Sequence, residues 1–233
     1  MTYREIINSV LRRLREETIA SDWSGNINDS TITPYQKLVG ELVNDAKKNV
    51  ESYHNWNALR ETFNIQTKVG NMQYTLGDAN RGSGVSFTVL DVINQTTGTV
   101  LEQVPNDWMN EQVFPLTNAS SGEPTSYAFN GISQAGTNRE PDFNIDLYPV
   151  PDAKQIISVN IVGAQKELKE AAQVLRVPSQ PVVLGAWARA IAERGEDGGT
   201  QQGAVAAEAR DALLQALQLD AGNFEYERDW YVN

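Results

Sequence analysis

The chain has no cysteine. That removes disulfides, thiolate metal sites and cysteine nucleophiles together, and fits a protein made in a reducing cytosol. Histidine occurs once, as His54, and there is neither an HExxH nor a GxSxG pattern. Carboxylates are plentiful, but no pair stands apart from the solvated background. The glycine-rich stretch Gly77–Gly84 (GDANRGSG) lacks the GxxxxGK[ST] pattern, and no helix follows it to supply a dipole, so it reads as a loop tip. No catalytic site is expected, and no cofactor or metal. No apolar run approaches the roughly 18 residues that a membrane helix needs. The N-terminal MTYREIINSVLRRLREE is charged throughout and has no apolar signal-peptide region. Basic residues are also short: 19 Lys and Arg stand against 30 Asp and Glu, a net charge of -11. A protein that grips nucleic acid carries a basic stripe, and none is visible. Solubility is the ordinary meaning of such acidity.

What is present is a helical protein interrupted by β structure. Within Asp142–Gly163 (DFNIDLYPVPDAKQIISVNIVG), Phe143, Ile145 and Leu147 alternate with polar residues. Pro149 and Pro151 stop the ladder, since proline has no N–H to donate. Ile157, Val159 and Ile161 then alternate again, so the stretch reads as a β-hairpin with a Pro-Val-Pro-Asp corner. Further strands are expected over 58–67 and 72–76, joined through Gly70-Asn71. Phe87–Asn94 and Val100–Val104 read as a hairpin around Thr97-Gly98, and Tyr127–Asn130 as one more strand. A helical turn is expected from Pro105 to Glu111, with polar loops at 117–124 and Gly131–Pro141. About seven short strands make a small sandwich or barrel.

The flanks are helical. Residues 2–19 carry an apolar stripe of Tyr3, Ile6, Ile7, Val10, Leu11 and Leu14, with Thr2 and Glu5 spaced as a capping box. A polar loop over 20–33 leads to Thr33-Pro34, which opens a second helix to about Tyr53. His54 reads as a capping or packing residue at its exit. Trp56 reads as a wedge at the junction of the helical and β parts. After a link at 168–177, Pro178-Ser179-Gln180-Pro181 starts a third helix that carries Trp187, a second junction candidate, and Gly195–Gly199 ends it. A fourth covers about Thr200–Leu219, with an alanine face. The last residues, AGNFEYERDWYVN, place Phe224, Tyr226, Trp230 and Tyr231 among acids, beyond the helix. Disordered ends are normally poor in aromatics. The tail therefore either folds back on its own core or docks on a partner, for which Trp and Tyr are favoured anchors.

This order of elements resembles the head–tail connector (adaptor) proteins of tailed bacteriophages. The variant with a β domain is similar to the tail tubular protein A type of short-tailed phages. The matching stretches are TYREII at the N-terminus, YHNW at the helix exit, LYPVPD before an alternating strand, and VP-x-x-P leading into the helix with Trp187. The resemblance implies a ring, commonly of twelve copies, between the portal and the tail tube or nozzle, and no cofactor. It implies a virion protein made in the bacterial host cytoplasm, through whose channel duplex DNA passes without specific binding. An acidic wall would repel DNA and keep it sliding.

The expected fold is α+β: a four-helix bundle from residues 1–56 and 166–219, an inserted β-sandwich or barrel-like domain at 57–165, and a docking tail at 220–233, assembling as a ring. Phe224, Tyr226, Trp230 and Tyr231 are the candidate portal-docking residues; Trp56 and Trp187 are the candidate junction residues. Two other functions fit the residues. One is a virion β domain that binds host carbohydrate, with Trp108 as its platform. The other is a transient assembly scaffold.

Overall fold

Thr2 begins the first helix with the expected reciprocal cap: Glu5 N–H donates to Thr2 Oγ1 at 3.4 Å and Thr2 N–H to Glu5 Oε2 at 2.8 Å. The structure, a computed structural model, describes residues 1–77, 87–113, 120–133, 142–195 and 200–228. Most of the Gly77–Gly84 and Gly131–Pro141 loops, part of the 117–124 loop, positions 196–199, and Trp230 and Tyr231 lie outside the described residues. The chain divides into two units, Met1–Leu59 with Ala164–Asn233, and Arg60–Gly163.

In the first unit α1 spans Tyr3–Arg13, shorter than the expected 2–19. The stop is a Schellman motif: Glu16 N–H donates to Leu11 C=O at 2.9 Å and Arg15 N–H to Arg12 C=O at 3.2 Å. Arg15 takes the left-handed position, φ 58°, where glycine is usual. Asn8 then clamps the returning chain, exchanging two hydrogen bonds with the Ile19 backbone at 2.8 and 2.9 Å. The polar loop that follows packs through Ile19, Ile27 and Ile32, all buried.

Helix α2, Pro34–Ser52, starts on the Thr33–Gln36 capping box with Pro34 in its first turn. Helix α4, Ser179–Arg194, ends at left-handed Gly195. It is the hub of the unit, packing on α1, α2 and the last helix, α5. The core joins Ile6, Ile7, Val10 and Leu11 of α1 to Val39 and Val43 of α2 and Val182 and Ala186 of α4. Helix α5 runs Thr200–Arg228, past the expected end at Leu219. It lies along α4 and, among its described side chains, buries only Val205, Ala212 and Leu213. The core is therefore built mainly on three helices, with the fourth on its flank.

The link after Gly163 is an ordered strap. Asn44, buried in α2, accepts from Leu168 N–H at 2.9 Å and donates to Leu168 C=O at 3.0 Å. Tyr3 N–H donates to Gln173 C=O at 2.8 Å. Lys47, fully buried, donates to both carboxylate oxygens of Glu51 at 3.1 Å and also to Gln165 C=O.

Among the described residues the second unit holds ten short strands. They are β1 (Arg60–Gln66), β2 (Gln73–Leu76), β3 (Phe87–Asn94), β4 (Thr99–Val100), β5 (Glu102–Gln103), β6 (Ser121–Gly122), β7 (Ser126–Ser133), β8 (Asp142–Tyr148), β9 (Val150–Pro151) and β10 (Ile156–Gly163). One sheet has the order β1-β10-β3-β4 and the other β2-β8-β7-β5, with β6 and β9 as a separate short pair. Phe63, Val92, Ile157, Val159 and Ile161 of the first sheet share one core with Leu76, Tyr127, Ile145 and Leu147 of the second. This is a two-sheet sandwich and not a closed barrel.

The Asp142–Gly163 stretch is consequently not a hairpin. β8 and β10 are both strands, but they lie in different sheets, and β8 pairs with β2 and β7 while β10 pairs with β1 and β3. The Pro149–Asp152 corner carries the chain from one sheet to the other. The β3–β4 turn does form as expected, with Gly98 at φ 78° and its N–H on Asn94 C=O at 2.7 Å. Leu101, buried, then takes the chain across to β5, which pairs in parallel with β7. Helix α3, Asn106–Val113, packs on β7 and buries Met109.

Candidate functional site

The last helix is held at a built socket. The Asp220 carboxylate accepts from Asn57 N–H at 3.2 Å and lies 3.1 Å from His54 Nε2. The His54 ring stands edge-on to Trp56, centroids 5.3 Å apart. Trp56 is fully buried and its Nε1 donates to Val50 C=O at 2.8 Å. The HNWN exit of α2 thus grips α5 at Asp220. Beyond it Ala221 and Gly222 are exposed, and the helix continues through positions 224 and 226 to Arg228. Phe224 and Tyr226 therefore belong to the last turns of α5, not to a tail beyond it. The expected end at about Leu219 fell short: Gly222 and Asn223 are weak helix formers, yet the backbone stays helical through them.

The same helix walls an open groove of about 690 Å³ with α2 and α4. Its floor includes Ala46, Val50, Ala188, Ala209 and Leu213, and Arg189 and Arg210 stand along it. Tyr53 and Leu214 line it too, and they are 67% and 48% exposed. Small and apolar side chains with cations beside them suit the docking of another polypeptide. Among the described residues no cluster of three His, Asp or Glu could hold a metal ion, and no helix is long and apolar enough to cross a membrane.

The family model of the SU10 adaptor protein matches residues 1–230. The chain belongs to the SU10 adaptor protein family. No curated protein matches it. Membership supports a phage structural adaptor protein.

The other aromatics singled out in the adaptor's sequence sit differently. Trp187 is half-buried in α4, with the Arg13 guanidinium 5.8 Å from its ring centroid, so it joins α4 to α1 inside the helical unit. Trp108, in α3, is half-buried and packs edge-to-face with Tyr148, centroids 5.6 Å apart. It forms one half of an aromatic pair, both rings half-buried. Asp220, Asn57, Arg189 and Arg210 were not picked out by sequence reasoning. The Asp220–Asn57 contact joins positions 163 residues apart, a separation that no local pattern encodes.

Proposed function

We propose that the adaptor forms a ring between the portal and the tail tube or nozzle of a tailed phage, with a central channel through which duplex DNA passes. The observation that carries this reading is the family match over residues 1–230. The resemblance to the tail tubular protein A type supplies the finer terms: twelve copies, a portal on one side and a tail protein on the other. The C-terminal end of α5, with Phe224 and Tyr226, and the residues after it, with Trp230 and Tyr231, docks on the portal. Two features support that role: the helix extends past its contact at Asp220, and aromatic anchors commonly dominate interface energies. The net charge of -11 suits a channel wall that repels a polyanion carrying about one charge per 1.7 Å.

Cryo-EM of mature particles tests this reading. A ring of this chain between portal and tail is expected. Absence from mature particles would instead make it a scaffold that leaves after assembly. The free protein is also expected not to retain duplex DNA at moderate salt; tight binding there, or a basic lumen, overturns the channel argument.

A further inference from the structure

The groove beside α5 carries two cations that no carboxylate among the described residues pairs with. Arg189 donates Nη1 only to Gly185 C=O, at 3.2 Å, and Arg210 is exposed; neither pairs with a carboxylate among the described residues. Such unpaired cations stand out in a chain with 30 acids. Glu208 and Asp211, spaced i, i+3 on α5, are exposed, do not line the groove, and pair with no cation among the described residues. One straight helix cannot fold its acidic face onto its own groove face. Leu214 and Leu219 are 48% and 77% exposed on this same helix, while Val205, Ala212 and Leu213 are its only buried apolar side chains among those described. Over its described side chains the helix buries so little that this stretch is short of a partner.

We infer that α5 is the subunit interface: the Glu208/Asp211 face of one copy docks on the α2/α4/α5 groove of the next, and its acids face Arg189 and Arg210. The partner is a second copy because this chain supplies both halves of the charge match. Gly185 and Ala188 on one wall, and Ala206 and Ala209 on the other, let a helix approach closely. The contact joins two different surfaces, so each copy gives one and receives one. Repeated contacts of this kind close into a ring when the rotation permits. The inference rests on the ring reading above and assigns its surface.

Two charge-reversed proteins test it, R189E/R210E and E208R/D211R, with circular dichroism to show that each folds and light scattering to give its mass. Wild type is expected to assemble at high concentration. Each variant alone is expected to associate at least ~100-fold more weakly, because like charges then face each other. Mixing the two variants should restore assembly, since the acidic groove of one meets the basic helix face of the other and the reverse contact matches as well. Variants that assemble as wild type does place the interface elsewhere and leave the ring reading standing. A mixture that stays dissociated overturns the pairing. A wild type that stays monomeric overturns this contact, and the particle structure then decides the ring reading separately.

Discussion

Arg15 sits at φ 58° with its side chain exposed, at the position of the α1 Schellman motif that glycine fills without a Cβ clash. Arg15→Gly is therefore expected to stabilise the protein by about 0.5–1 kcal/mol, and Arg15→Val to destabilise it by a similar amount or more, both read from urea midpoints. Asp146 is a second residue under tension. It is 1% exposed in β8; Asn130 Nδ2 donates to Oδ2 at 2.8 Å, but among the described residues no hydrogen bond of normal geometry reaches Oδ1. Gln73 lies across the β2–β8 pair and favours the carboxylate, yet burial outweighs both amides and raises the carboxyl pKa above its ordinary value. In acid below the ordinary Asp range both folded and unfolded chains hold the proton. As pH rises, the unfolded chain releases it first, so stability falls until the folded carboxyl also ionises, and is level above that. Asp146→Asn is expected to remove this fall and to add about 1 kcal/mol at neutral pH, with little effect in acid. A pH series of urea melts that keeps its slope in the variant would disprove the assignment. At this scale the sequence was legible where the signal is local. Thr2 with Glu5, and Thr33 with Gln36, are three residues apart and form the boxes that spacing predicts. Arg15 was not legible because its left-handed backbone is imposed by the loop that follows, and Asp146 was not because its burial comes from distant strands.

At the scale of elements, alternation identified strands but not their partners. β8 and β10 both alternate, and each inner face contributes to one shared core, yet hydrogen bonding places them in opposite sheets. Pairing depends on where Val150–Pro151 are held, and β6, nearly thirty residues earlier, holds them. The strap after Gly163 was illegible for a related reason. Its hydrogen bonds go to Asn44, Lys47 and Glu51, more than a hundred residues away. Lys47 and Glu51 have the i, i+4 spacing of an ordinary surface pair. Their side chains are instead 0% and 3% exposed, and burial lowers the lysine pKa and raises that of the glutamate. The pair pins the strap to α2 through Gln165, whose C=O accepts from Lys47 and whose N–H donates to Glu51 Oε1 at 3.3 Å. Removing one partner strands a buried charge. Lys47→Met is expected to cost about 3–5 kcal/mol, whereas Lys47→Met with Glu51→Leu should recover most of that loss. If the double variant is as unstable as the single one in thermal melts, the strap depends on the hydrogen bonds to Gln165 and not on charge balance.

For the whole molecule, the decisive part is the end of α5. The sequence reading placed four aromatics in a tail beyond the last helix; the backbone is helical to Arg228, so the part holding Phe224 and Tyr226 needs little backbone ordering when it docks. Its affinity then depends on side-chain burial, at ~2 kcal/mol or more for a good aromatic anchor. One arm is weak, but a ring presents many at once and gains by avidity. Deletion of residues 221–233 leaves Asp220 in its socket and spares Val205, Ala212 and Leu213, the buried apolar side chains among those described in α5. The truncated protein should fold with stability changed by no more than about 0.5 kcal/mol if the aromatics serve the portal and not the adaptor's own core. It should no longer join portal-bearing capsids when they are mixed and sedimented. A shorter deletion, 229–233, removes Trp230 and Tyr231 and keeps the helix, so an intermediate loss is expected of it. Because α5 carries the inferred subunit contact upstream, at Glu208–Leu214, truncated copies should still associate with one another. Loss of capsid joining with self-association intact would separate the two surfaces; loss of both would mean that the arm, and not the groove, holds the copies together. A truncated protein that still joins capsids puts the portal anchor elsewhere on the adaptor, and one that unfolds returns the aromatics to the adaptor's own core.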